Sequence, residues 1–468
     1  MENNFRNNIT LDKNNDRYPS TFTIDNFSST TTLTPNEIKI PIGSKDSLNE
    51  KLYDPHEHRD LEHPNTFYGA LMHLVKSSMG TGTLAVPMAF KYAGLLVGIF
   101  GTMMIGLLCA HTVHILVLAS YKVCIASKVP SMGFAETAEA VFKFGPKPFR
   151  PWASYARMFV DIGLTLCNFF GNAVYVVFIR DSLRQVMQFY YPDINIPATT
   201  LVLGITILLI FFCQIRPLKF LVPFSAVANM TMLIAFAIIF YYMIETIPKV
   251  NFEERYLVKG IDGIPKFMVT IIFAMEGIGT IMPVENSMKK PQFIGCPGVL
   301  NVGNGILVFI FSVIGFFGYY AFGENTQASV TYSLPEQENI AMIGRACIAT
   351  AIFFTYMLQF YVPMEITWRN VSPYVPSKYE NIFQIVYRTV AVIFVSTIAI
   401  VVPDLSTIID IVGSVFLSTL GLFIPCLLDI IVNWESGHGR LQWKLYKNLL
   451  IMCISLFMLY SGVHYAVS

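Results

Sequence analysis

The chain has 468 residues, of which 54% are hydrophobic and only 13% charged, with a mean hydropathy of +0.54. That balance excludes an ordinary soluble globular domain and makes membrane lipid the solvent to reason from. A net charge of +1 supplies no basic field for a nucleic-acid partner.

Residues 1–65 are polar, rich in Asn, Ser and Thr, mixed in charge and without an apolar signal-peptide core, so we expect a disordered cytoplasmic tail rather than a cleaved leader. Its hydroxyl run, Ser28 to Thr32, is a candidate docking or phosphorylation site for a cytoplasmic signalling partner. Crossing about 30 Å of hydrocarbon takes about 20 apolar residues in a helix. Eleven windows are candidates, four of them (162–179, 346–364, 389–403 and 411–428) slightly shorter, and they lie at about 66–90, 92–121, 162–179, 194–215, 220–244, 267–284, 291–323, 346–364, 389–403, 411–428 and 448–468. The expected fold is an all-α polytopic membrane protein. With the N-terminus inside, the inward loops hold 16 Lys and Arg and the outward loops 8, which supports that orientation. Six of the eight cysteines fall in spans, and no outward loop offers a disulfide pair.

The first and sixth windows are unlike the rest. Lys76-Ser77-Ser78-Met79-Gly80-Thr81-Gly82-Thr83-Leu84-Ala85-Val86-Pro87 sets a charge, two glycines and a proline inside an apolar run, and Gly277-Ile278-Gly279-Thr280-Ile281-Met282-Pro283 echoes it. Gly costs about 1 kcal/mol at a helix position and Pro removes an amide donor, so both spans should break. Backbone freed at that depth must face protein or a polar cavity. Half-helix N-termini then offer amides to a carboxylate, while freed carbonyls offer acceptors to an ammonium or a cation. Five crossings separate the two breaks. We therefore expect an inverted repeat, 66–245 against 263–430, with an additional last helix at 444–468.

Each broken span carries one internal charge, Lys76 or Glu276. An ionisable group in a membrane is a functional candidate because its burial costs at least about 2.5 kcal/mol. Glu276 can accept a substrate ammonium, bind a proton or pair with a freed amide, whereas Lys76 can also snorkel to the interface. His73 lies two turns before Gly80 and is the natural carrier of a coupled proton, with His111 and His114 as weaker candidates. Asn168 lies on the third span, seven residues from Asp161, which reads better as the inner edge of that helix. The pair Ser77 and Ser78 either binds substrate or bonds back to its own helix. Thr350 and Thr355 are weak candidates for a sodium site. The sequence has no phosphate-binding P-loop, zinc-type His/Cys cluster or Gly-x-Ser-x-Gly elbow, so we expect no enzyme, no cofactor, no metal centre and no direct ATP drive.

The stretches HLVKSSMGTGTLAVPMAFKYAG (73–94), GFAETAE (133–139), FAMEGIGTIMPVENSMKKPQFIG (273–295), GENTQASVTYSLP (323–335) and LQFYVPMEI (358–366) resemble the proton-coupled amino acid transporters of the amino acid/auxin permease superfamily, including insect proton-coupled amino acid transporter-like proteins. The resemblance runs in order from about residue 54 to the last helix. It implies a leucine-transporter-type 5+5 inverted repeat with broken helices 1 and 6, and symport of small neutral amino acids with a proton. It implies His73 in proton coupling, the role that placement in the membrane also offers Glu276. The implied substrate contacts are Ser77, Ser78, Gly80, Thr81, Gly82, Thr83, Asn168, Phe273, Ala274, Met275, Glu276, Gly277 and Gly279. Ser77-Ser78 replaces the family's usual Gly-Asn or Gly-Ser, and Asn168 stands where Gln is frequent. Sodium coupling, uniport and an amino-acid sensor with little bulk transport are the alternatives. The host membrane is read as the plasma membrane or a lysosomal or late endosomal membrane.

Overall fold

The computed structural model describes residues 53–61, 64–193, 196–216, 221–250, 252–275, 277–435, 437 and 439–467. The rest of the expected tail, with Ser28 to Thr32, and the candidate Glu276 lie outside these residues. The described chain is helical, and nine of its helices are long and apolar enough to cross a membrane.

The first span is divided. Helix α1 (Phe67–Ser78) starts where the Thr66 hydroxyl accepts the Gly69 amide at 3.2 Å, a side-chain N-cap. It stops before Gly80, and α2 (Thr81–Ala93) resumes beyond it. Helix α3 (Leu95–Ser127) then spans the molecule. The loop expected over 122–160 contains a short helix, α4 (Phe134–Phe144), whose mixed face packs on α5 (Ala153–Tyr190). Helix α6 (Ala198–Cys213) is short at 16 residues, and α7 (Val222–Thr246) follows it.

The second broken span is α8 (Ile264–Ala274) and α9 (Ile278–Asn286). Then come α10 (Val299–Phe322), α11 (Asn339–Val371) and α12 (Glu380–Val401). The window expected at 411–428 is α13 (Leu405–Ile411), two π-helical stretches over Val412–Leu417 and Thr419–Phe423, and α14 (Ile424–Val432). Such widened turns are uncommon and concentrate where a helix is shaped for a task. Here the first one packs on α5, α8 and the last helix, α15 (Trp443–Val467).

Packing sorts the helices into two groups. Helix α2 lies on α8 and α10, which also packs on α3, while α11 is held mainly by α5 and α7, with α6 packed on α12. The cavity described below lies where the first group meets α5 and α11. Outward faces of α6, α7 and α12 expose Phe211, Met230, Leu233, Ile382 and Val390. Hydrocarbon, which needs no hydrogen bonds from them, is the solvent that suits such a surface.

Residues 53–61, expected as the end of a disordered tail, are packed into the protein. Arg59 is only 6% exposed. Its Nη2 donates to both carboxylate oxygens of Glu285, at 3.0 and 2.9 Å. Its Nη1 donates to the carbonyls of Glu285 and Met288, and its Nε to Pro130 O. A guanidinium with every donor group engaged is what makes such burial tolerable. His56 stacks on Tyr121 and sits 4.0 Å from Glu285. The segment leading into α1 is thereby latched to the end of α9.

Candidate functional site

The two breaks meet. A Cβ built on Gly82 would stand 2.6 Å from Ala274 Cα and 3.3 Å from Phe273 O, so the start of α2 can lie against the end of α8 only because residue 82 has no side chain. Gly277 faces Ser78 across the other half of the junction, its built Cβ falling 3.3 Å from the Ser78 hydroxyl. Thr280 Oγ1 joins the halves, 3.2 Å from Ser77 Oγ and 2.9 Å from Gly277 O.

Four helix ends therefore converge. The first turn of α2 closes with Thr83 N donating to Gly80 O, which leaves the amides of Thr81 and Gly82 without an acceptor in their own helix. In α9 the bonds begin with Thr280 N and Ile281 N on Gly277 O, leaving Ile278 and Gly279 in the same position. At the facing ends, Ser78 O of α1 accepts from Gly80 N, and Phe273 O of α8 lies beside Gly82. Positive and negative ends of helix dipoles thus lie together in one small volume.

A cavity opens there, bounded by α1, α2, α5, α8, α9 and α11. It is lined by ten of the sequence candidates: Ser77, Ser78, Gly80, Thr81, Gly82, Asn168, Phe273, Ala274, Gly277 and Gly279. Ser77 Oγ donates to Leu74 O at 2.8 Å and Ser78 Oγ to the same carbonyl at 3.3 Å, so both serines take the back-bonding alternative while still facing the cavity. Asn168 commits its amide nitrogen to Leu164 O at 2.7 Å, which leaves its carbonyl oxygen as an acceptor. No Asp, Glu, Lys, Arg or His is among the described lining residues.

Other candidates lie elsewhere. Thr83 is fully buried outside the cavity lining. Met275 packs toward α3, where its Cε would come within 3.4 Å of a Cβ on Gly106. His73 is half-buried on α1, about 10 Å along the axis from Gly80 by helix rise, and does not line the cavity. Asp161, expected at the helix edge, lies more than two turns inside α5, 3.8 Å from Arg157, which also pairs with Glu139 at 2.9 Å. Thr350 is exposed, its hydroxyl bonded back to Ala346 O.

The structure adds Tyr175, Gln359 and Thr280 to the lining. Each had a usable signal in the sequence: Tyr175 lies two turns beyond Asn168 on the same face of α5, Gln359 falls inside the motif at 358–366, and Thr280 belongs to the echoed Gly-x-Gly-Thr. A second cavity adjoins the first through Gly80, Thr81 and Tyr175. It is lined also by Lys76, Ser225, Asn229 and Thr355, and Lys76 Nζ donates to Ser225 Oγ at 3.3 Å.

Residues 63–468 match the family of transmembrane amino acid transporter proteins. The chain belongs to that family. It is 36% identical over 416 residues to the proton-coupled amino acid transporter-like protein pathetic of Drosophila melanogaster, covering 89% of this chain and 87% of that one. The amino acid transporter AVT3C of Arabidopsis thaliana is 26% identical over 383 residues, 78% of this chain and 83% of the other. Among solved structures, MHP1, a nucleobase-cation-symport-1 family transporter in a closed conformation with bromovinylhydantoin bound, superposes with a TM-score of 0.50 at 11% identity, covering 90% of this chain and 94% of that one. That likeness is one of fold, the leucine-transporter type. This is an integral, multi-pass amino acid transporter.

Proposed function

We propose that the protein carries small neutral amino acids by proton symport, alternating access around the cavity where the two broken helices meet. The observation that carries this reading is the convergence of four helix ends on a cavity without fixed charge among its described lining residues. Bare amides of α2 and α9 suit the substrate carboxylate, and carbonyls at the ends of α1 and α8, with Asn168, suit its ammonium. The side chain then meets Leu164, Phe273, Ile278 and Val362, an apolar surface that leaves a charged side chain without a counter-charge.

Eleven spans follow if the divided α1/α2 and the short α6 are counted with the nine long helices. In this reading 66–245 and 263–430 are the inverted halves, 444–468 is the added helix, and the N-terminus is cytoplasmic. Transport is rocking of the group containing α2, α3, α8 and α10 against the group built on α5 and α11. His73 and Glu276 carry the proton. The lysine ammonium beside Ser225 supports a proton over sodium, since it already sets a positive charge in the second cavity, next to Thr355.

Uptake of labelled alanine, glycine and proline into proteoliposomes tests the reading. We expect an inward proton gradient to raise uptake and replacement of sodium by choline to leave it unchanged. Uptake indifferent to the proton gradient overturns proton coupling, and a sodium requirement transfers the coupling to that ion. His73→Ala should flatten the pH dependence while substrate binding persists.

A further inference from the structure

We propose that a separate cavity between α6, α11 and α12 holds the phosphate of an anionic phospholipid. Its walls are Arg216, just beyond α6; Tyr361, Met364, Glu365 and Trp368 on one face of α11; and Gln384, Tyr387 and Arg388 on the facing side of α12. Arg388 is 9% exposed and donates only through Nη1, to Cys213 O at 2.9 Å, so its remaining N–H groups have no acceptor among the described residues. Arg216 donates to Asn381 Oδ1 and O at 2.7 and 3.1 Å, which holds a second guanidinium at the rim.

Two guanidiniums on one cavity match the forked recognition of a phosphate, and a buried arginine is costly to retain with most of its donors unpaired. Glu365 also lines the cavity. It leaves the lining with one net positive charge and selects for a ligand that binds on the arginine side. The source of the phosphate follows from the surroundings. Trp368, Tyr361 and Tyr387 are the amphipathic rings found at headgroup depth. Immediately outside, α12 exposes Ile382, Ile385 and Val386, a surface for acyl chains. The Lys and Arg count assigns this end of the molecule to the inner face, where anionic lipid concentrates and where basic pockets between helices take lipid headgroups.

The test is native mass spectrometry of the purified full-length chain titrated with phosphatidylserine, with phosphatidylcholine and inorganic phosphate as separate arms. Phosphatidylserine should bind in preference to phosphatidylcholine, and inorganic phosphate should neither bind comparably nor compete. Arg216→Gln and Arg388→Gln should each weaken phosphatidylserine binding about tenfold, the loss expected for one charge-assisted contact, whereas Glu365→Gln should tighten it. Arg388 also caps the end of α6, so Arg216→Gln, whose hydrogen bonds to described residues go only to Asn381, carries the test if the Arg388 variant is unstable. Equal binding of the two lipids, an Arg216→Gln protein that binds as the parent does, or phosphate binding equal to that of the lipid would each overturn the proposal.

Discussion

The two helix breaks share a motif and differ in what their glycines do. Gly82 and Gly279 hold the same place in Gly-Thr-Gly-Thr and Gly-Ile-Gly-Thr, yet a Cβ on Gly82 would penetrate Ala274, while one on Gly279 would meet nothing within 4 Å. The first glycine is a contact between the half-helices, and the second leaves room in the cavity. The equivalence in sequence thus separates into a packing role and a space-giving role. The two breaks are also tied at one end, where the segment before α1 offers Arg59 to Glu285 near the end of α9.

Cutting that tie should have the largest effect on the comparison. Glu285→Ala leaves a buried guanidinium unpaired and should cost about 3–5 kcal/mol. Thermal unfolding of the purified protein should show it, and replacing both partners with Leu should recover much of the loss. Gly82→Ala should come next, at about 1–3 kcal/mol from overpacking, with transport lost because the added methyl pushes α2 and α8 apart at the cavity wall. If Gly82→Ala transports normally, the close approach is not required.

A smaller effect is expected from pH. Burial first, and then the Arg59 guanidinium, hold His56 below the usual imidazole range. Its folded-state pKa lies below the unfolded one, so the unfolded chain binds more protons in the interval between them. His56 should therefore cost nothing above about pH 6.5 and subtract stability as the pH falls below that value toward its folded pKa. His56→Gln should reduce this slope in melting curves recorded against pH. Gly279→Ala should have the smallest effect on folding, well under that of Gly82→Ala, and should appear as a raised KM for the larger of two neutral substrates. An unfolding effect equal to that of Gly82→Ala would erase the distinction between the two breaks.

Much of the site was legible because breaking a helix is a local event. Glycine entropy, the missing amide of Pro and the cost of a charge in hydrocarbon are properties of residues and their near neighbours, and they mark Gly80 and Gly277 without a partner in view. Apolar windows were legible for the same reason, although α5 and α11 extend well past theirs with polar residues on both ends. Thr83 and Met275 show the limit. Both stand beside the breaks in sequence, yet helical rotation turns one into the interior and the other toward α3. Tyr175 and Gln359 reach the cavity from helices that carry no break of their own.

The sequence alone determined that this chain belongs in a membrane, where its two discontinuous spans lie, and which polar residues stand beside them. Tertiary structure decided which ends meet. Arg59 and Glu285 are 226 residues apart, and Arg216 and Arg388 share a cavity only because α6 packs on α12. No local rule can express such pairings, since each depends on how whole helices are placed by close packing summed over their full lengths.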